Sequence, residues 1–197
     1  VSGIAAGDAM NKKHAKHSNQ VRISGGIHRG RKLSFADAEG LRPTPESVRQ
    51  KLFNWLGQEL YGQSVLDLFA GSGALGLEAA SRHAARVWLC EKSRPSAQTL
   101  QSHVRTLNLT ATVQVVCADA LAFLAQTGET FDIVLLDPPF AWQQWDGLWA
   151  LLRPRLADGA RVYIEAGTLP DLPDWLVLRR EGRAGQSRFG LWEYVGD

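Results

Sequence analysis

The chain has little sulfur and no long apolar run: two cysteines and one methionine occur among its 197 residues, and the longest apolar stretch is the six residues from Ala120 to Ala125. A membrane helix needs ~20 such residues, so a spanning segment is excluded and a soluble chain is expected. Cys90 and Cys117 each lie in a strand-like apolar run, a setting that suits buried free thiols rather than a disulfide or a cysteine metal site. The first residues, Val1 to Met10, contain no basic segment followed by an apolar one, so no secretion signal is expected and the location reads as cytoplasmic. None of His14, His17, His28, His83 and His103 stands in a cluster at ligand spacing, and no metal is expected.

What is present fits an ordinary globular protein, with 45% hydrophobic and 21% charged residues. The size suits one domain. The net charge of +2 conceals an asymmetry. Through Lys51 there are ten Lys/Arg against four acids, a balance of +6 that leaves −4 for the remainder. A basic arm ahead of a mildly acidic body suits a nucleic-acid anchor, because phosphate neutralisation supplies much sequence-independent affinity; a solvated tail carries the same charge. Residues 1 to 20 read as a disordered basic tail, 1 to 9 as an extension outside the fold, 21 to 42 as a small basic hairpin projecting from the domain, and 43 to 197 as the domain itself.

From residue 64 onward, strand-like runs alternate with helical patterns. Strands are predicted at 64–69, 86–91, 112–118, 131–137 and 161–165, and helices at 73–82, 95–107, 120–126 and 145–152. Continuously apolar strands separated by helices imply a doubly wound α/β fold with a mostly parallel sheet covered on both faces. Two last strands, 175–183 and 188–195, joined through Gly182, Gly185 and Gln186 without a helix, predict a C-terminal antiparallel hairpin and bring the sheet to seven strands. Upstream, Thr44 as cap and Pro45 at the first helical position predict a helix whose apolar face carries Val48, Leu52, Leu56 and Leu60.

The strongest local signal is Val65-Leu66-Asp67-Leu68-Phe69-Ala70-Gly71-Ser72-Gly73-Ala74-Leu75-Gly76, a strand running into a glycine turn and then a helix. Gly71, Gly73 and Gly76 satisfy the G-x-G-x-x-G pattern, and Glu91 lies 20 residues beyond Gly71 at the end of the next strand, where an acid can accept from ribose hydroxyls. Asp67 at the strand end would repel a pyrophosphate and attract the ammonium group of S-adenosylmethionine. Asp119 suits either an adenine amino group or a helix N-cap. Asp137-Pro138-Pro139-Phe140 follows the apolar strand 133–136. Two prolines there end the ladder and present carbonyl acceptors. An exocyclic amine is a poor nucleophile because its lone pair is delocalised into the ring; the Asp137 carboxylate and Pro138 carbonyl could hold its two N–H groups and turn the lone pair toward an electrophile, with Phe140 stacked on the ring.

In order and residues the chain resembles the class I S-adenosylmethionine-dependent methyltransferases that methylate amines, whose signature is (D/N/S)-P-P-(Y/F). More closely, 21–26, Arg29-Gly30-Arg31, Leu41-Arg42-Pro43-Thr44, Val48-Arg49, 52–56, 69–79 and 137–140 resemble the bacterial 16S ribosomal RNA guanine-N2-methyltransferase (RsmD) family across residues 20 to 195. It departs from that family's pattern at Pro45-Glu46-Ser47 and at Ser187-Arg188-Phe189-Gly190. The resemblance implies a Rossmann-like fold and methyl transfer to N2 of guanine 966 in 16S rRNA of a partly or fully assembled small subunit, by a monomer with no membrane or metal. It also implies a cofactor site of Arg42, Thr44, Asp67, Phe69, Ala70, Gly71, Ser72, Gly73, Glu91, Lys92, Asp119 and Ala120, catalysis by Asp137 to Phe140, and RNA contacts by Arg22, His28, Arg29, Arg31, Lys32 and Arg188.

Neighbouring readings differ in acceptor or class. Adenine N6 and protein glutamine amides are methylated through similar Pro-Pro motifs, often with Asn in first place, so Asp137 argues mildly against both, and the basic arm argues against a protein acceptor. An NAD-dependent dehydrogenase is supported only by the glycines. An RNA-binding assembly factor without turnover is disfavoured by the intact Asp137 and glycine loop.

Overall fold

The computed structural model describes residues 19 to 36 and 42 to 196. The predicted tail falls outside these residues up to position 18, as do Leu41, His14 and His17. Strands β1 (Gln20–Arg22) and β2 (Lys32–Ser34) form a two-stranded antiparallel ribbon. Helix α1 (Glu46–Leu56) follows, then β3 (Ser64–Asp67), α2 (Ala74–Ser81), β4 (Arg86–Glu91), α3 (Arg94–Thr106), β5 (Val113–Cys117), α4 (Ala120–Gln126), β6 (Phe131–Leu136), α5 (Trp145–Leu152), β7 (Leu156–Ala166), β8 (Leu176–Ala184) and β9 (Ser187–Tyr194).

The seven strands from β3 onward lie in the order β5-β4-β3-β6-β7-β9-β8. The pairs among β3 to β7 are parallel, whereas β9 is antiparallel to both β7 and β8. This is the arrangement of a class I methyltransferase. The chain winds outward from β3 through β5, then returns to place β6 on the other side of β3. That reversal opens a crevice at the carboxyl ends of β3 and β6, where ligands bind in open α/β sheets.

Alternation along the strands divides the core. Val65, Val87, Leu89, Ile133 and Leu135 pack with α1, α2 and α3, while Leu66, Trp88, Val134, Leu136, Val162 and Ile164 pack with α4 and α5. Every residue of α2 is buried, consistent with a helix apolar nearly all round. Gly73, its N-cap, has φ +82°, and a Cβ there would lie 2.5 Å from Leu100 Cδ2. Only glycine makes that turn without strain and without pushing aside the Leu100 and Leu77 side chains.

Several expectations are corrected. The N-terminal hairpin does not project: Val21, Ile23 and Leu33 enter the core cluster, and its connecting loop docks on the end of α2. Ile27 N–H donates to the Ser81 carbonyl and His28 N–H to Ser81 Oγ, each at 2.9 Å. Apolar alternation in such short strands does not reveal that the loop amides find acceptors on a helix end. Thr44 does not cap α1, whose N-cap is Pro45 without a side-chain bond; its hydroxyl lies instead against the Asp137 and Glu165 carboxyls, where a charge-assisted bond is stronger than a neutral cap. Cys90 is buried, but Cys117 is exposed at the end of edge strand β5. Gly182 belongs to β8, and the hairpin turn is Gly185-Gln186 alone, bracketed by the Ala184–Ser187 pair. Strand β7 begins five residues before the predicted Arg161, at Leu156. No helix among the described residues is long and apolar enough to cross a membrane.

Candidate active site

The carboxyl ends of the central strands enclose a cleft of about 930 Å³, within the usual range for small-molecule sites. Its lining includes Arg42, Thr44, Asp67, Phe69 to Ser72, Glu91, Lys92, Asp119, Ala120 and Asp137 to Phe140. Of the expected cofactor residues only Gly73 is absent from the lining, since it turns inward as the cap of α2. None of Arg22, His28, Arg29, Arg31, Lys32 and Arg188 lines the cleft. The first five sit on the hairpin; Arg188 is exposed on β9 beside Ser187, which does line it.

Asp67 ends β3 and is 1% exposed. Its Oδ2 accepts from Gly76 N–H at 2.9 Å, satisfying a free amide in the first turn of α2. Its buried Oδ1 has no partner. Burial is the main reason the carboxyl is pushed up to about 7, with nearby Glu91 adding to it. An acid held this way lacks a positive partner, and an ammonium group in the cleft would supply one. Glu91 braces the glycine turn: Oε2 accepts from Gly71 N–H at 2.7 Å and Oε1 from Ser93 N–H at 2.8 Å. Each oxygen keeps a lone pair for ribose hydroxyls. Asp119 is the N-cap of α4, with Oδ2 accepting from Leu121 and Ala122 N–H; the cap leaves Oδ1 for an adenine amine. These donor and acceptor sets fit S-adenosylmethionine: a carboxylate for its ammonium, one for its ribose and one for its base.

Across the crevice, β6 ends at Leu136 and Asp137 begins the Pro-Pro turn, closed by Trp142 N–H donating to the Pro139 carbonyl at 2.9 Å. Phe140 is 67% exposed at the cleft wall, free to stack on a flat ring. Thr44 Oγ1 lies 2.9 Å from Asp137 Oδ2 and 3.1 Å from Glu165 Oε2, and Tyr163 Oη donates to Glu165 Oε2 at 2.9 Å. Burial and the neighbouring Glu165 hold the Asp137 carboxyl well above the usual carboxylate range. Burial also raises Glu165, which the Tyr163 and Thr44 hydroxyls partly offset. Sequence reasoning missed Glu165 and Tyr163; the one available signal was an acid at the carboxyl end of the strand 161–165, the position that Glu91 also occupies on its own strand.

The hairpin residues Arg22, Arg29, Arg31 and Lys32 are exposed, and His28 is half-buried. Burial, then Arg31, lowers the His28 pKa and favours its neutral form, and the exposed arginines and Lys32 carry positive charge on this face. Among the described residues no group of three or more His, Cys, Asp or Glu could hold a metal.

The family model described as "Conserved hypothetical protein 95" matches residues 21 to 193. The chain belongs to this family. The RsmD-like chain is 43% identical over 189 residues to Ribosomal RNA small subunit methyltransferase D of Escherichia coli K12, covering 93% of this chain and 95% of that protein. The solved structure of the Escherichia coli protein yhhF matches with a TM-score of 0.81 at 43% identity, over 90% of this chain and 99% of that one. An RNA methyltransferase of Salinibacter ruber solved with S-adenosyl-L-homocysteine has a TM-score of 0.63 at 18% identity, over 79% of this chain and 95% of that one; it shares the fold. In this RsmD-like chain the cleft gathers the expected cofactor residues other than Gly73 together with Asp137 to Phe140, and Asp67 and Asp137 stand at the carboxyl ends of the adjacent strands β3 and β6.

Proposed function

We propose that this RsmD-like protein is an S-adenosylmethionine-dependent methyltransferase of small-subunit ribosomal RNA that modifies N2 of a guanine, the guanine 966 type, in a partly or fully assembled subunit. The observation that carries the reading is the pair of sites at the switch point: Asp67 with a buried acceptor lacking a partner, and Asp137-Pro138 with acceptors suited to an aromatic amine, at the ends of adjacent strands lining one cleft. Family membership and the name of the Escherichia coli relative support the RNA substrate.

S-adenosylmethionine, when bound, supplies an electrophilic methyl group. Asp67 and the glycine turn hold the cofactor's amino-acid end, Glu91 its ribose and Asp119 its base. Asp137 and the Pro138 carbonyl accept the two N–H groups of the guanine amine and direct its lone pair along the cleft; alignment of this kind accounts for much of the rate. Phe140 stacks on the base, which leaves the RNA stack at an expense of a few kcal/mol. Asp137 takes the proton released from nitrogen. The exposed arginines of the hairpin meet RNA phosphates.

The test is incubation with radiolabelled S-adenosylmethionine and either naked 16S rRNA or small subunits from cells lacking this activity, followed by mass spectrometry of the nucleosides. N2-methylguanosine is expected. Label in N6-methyladenosine or in protein overturns the acceptor, and no label in any of them overturns the reading.

A further inference from the structure

Thr44, 4% exposed, stands between two carboxyl groups, with Oγ1 2.9 Å from Asp137 Oδ2 and 3.1 Å from Glu165 Oε2. A hydroxyl has one proton to give. It cannot donate to both carboxylates at once, so both short contacts are hydrogen bonds only if one carboxyl is protonated and donates to Thr44 while Thr44 donates to the other. Tyr163 Oη donates to Glu165 Oε2 from the far side. The charged and titratable groups that act on the pair are Asp67 from β3 and Tyr163 from β7, while Arg42 lines the same cleft. The buried Arg49 gives Nη1 to the Thr44 carbonyl and Nη2 to the Arg22 carbonyl, and among the described residues no guanidinium bonds to either carboxyl.

We infer that Glu165 is a positioning residue for Asp137: the two carboxyls share one proton through the Thr44 hydroxyl, and its passage to Glu165 leaves Asp137 ionised for the incoming amine. This deepens the methyl-transfer reading and rests on it. In the unliganded pair Glu165 Oε2 accepts from Tyr163 Oη and lies against the Thr44 hydroxyl, which favours an ionised Glu165 and leaves the shared proton on Asp137, and burial raises both carboxyls. When a base amine docks, the Asp137 Oδ2–H bond breaks as its proton passes to Thr44 Oγ1, and the Thr44 proton passes to Glu165 Oε2; one proton moves and no electrons are exchanged. After transfer the amine N–H bond breaks, its electron pair stays on nitrogen, and the proton goes to Asp137. The pair, now holding two protons, releases one to water through the cleft. Two carboxyls coupled in this way titrate as a unit.

The test is the pH dependence of kcat at saturating cofactor for wild type, Glu165→Gln, Thr44→Val and Thr44→Ser. Glu165→Gln removes the second acid, so the acid limb moves to lower pH by about one unit or more. Thr44→Val moves it to higher pH, because a bond stabilising the Asp137 carboxylate is lost, and Thr44→Ser restores the wild-type limb. Loss of rate with an unmoved limb in Glu165→Gln means a structural role and overturns the proposal; if that variant fails to fold, the Val and Ser pair decides in the same way. Carboxyl carbon NMR titration of the protein without RNA separates this inference from the substrate assignment. Asp137 and Glu165 are expected to titrate together in two steps, with Asp137 titrating alone and lower in Glu165→Gln. Independent titration overturns the proton sharing, whereas joint titration in a protein that methylates no guanine overturns the substrate reading alone.

Discussion

Two buried acidic sites in this protein differ in what meets the charge. Glu78 on α2 is 0% exposed. Its Oε1 lies 3.0 Å from Arg82 Nη2, and it accepts from both the backbone N–H and the hydroxyl of Ser24, at 2.9 and 2.7 Å. Arg82 in turn lies over the Phe53 ring at 4.9 Å and donates to Gln58. Every part of that site is answered, and it clamps the N-terminal hairpin to the domain. At the carboxyl edge, Asp67, Asp137 and Glu165 are enclosed beside one another and bonded to hydroxyls and amides but, among the described residues, to no cation. Burial with a counter-charge makes an anchor. Burial without one makes carboxyls poised to take up a proton or a positively charged ligand.

The sharpest way to break this contrast is to truncate one acid at each site. Asp137→Ala is expected to lower methyl transfer by ~10²–10⁴-fold while cofactor affinity by calorimetry changes within a few-fold; a large affinity loss would place Asp137 in cofactor binding. Glu78→Ala has the opposite profile. It strands the Arg82 guanidinium in the interior and is expected to destabilise the fold by about 3–5 kcal/mol, read by urea denaturation. An unchanged midpoint would show that the clamp is dispensable.

The next effect is a pH dependence. Asp67, pushed up to about 7 from 3.8 in the free residue, is more readily protonated folded than unfolded. Its contribution to stability is therefore full below about pH 4 and is lost as pH rises through about 7. Stability of the cofactor-free wild type relative to Asp67→Asn should fall by a few kcal/mol across that window, and cofactor affinity should rise over the same interval as the carboxylate forms. Parallel stability curves for the two proteins would contradict the assignment. The smallest effect is at the surface: replacing Arg29 and Arg31 with alanine should weaken RNA binding and reduce the slope of log affinity against log salt by about 1–2. An unchanged slope would mean that the hairpin is not the anchor.

The parts of the site that were legible are those where local chemistry is unusual. The glycine turn after Asp67, the acid at Glu91 and the Pro-Pro turn after Asp137 each contradict ordinary strand or helix propensity, so each stands out as a site in a run of residues. Their convergence followed from strand order, because every one of them ends a parallel strand at the same edge. Thr44 was misread because a Thr-Pro-Glu run satisfies helix-start rules, and the competing acceptors, Asp137 and Glu165, are 93 and 121 residues away. Arg49 looked like one more charge of a basic arm, yet it is 1% exposed and ties α1 to the hairpin strand through two main-chain carbonyls.

The α/β class, the element order and the ends of strands at which chemistry gathers can be read from the order of residues, because periodicity and turn chemistry act over a few residues and are written locally. Which acids are answered by a cation and which are not emerges in three dimensions. That depends on what lies across a crevice or a helix end: Arg82 happens to share a face with Glu78 and the hairpin loop, while Asp137 meets Glu165 through Thr44. Such pairing is set by the folding together of segments far apart in the chain, and the low dielectric their contact creates turns ordinary carboxyls into either an anchor or a reactive pair.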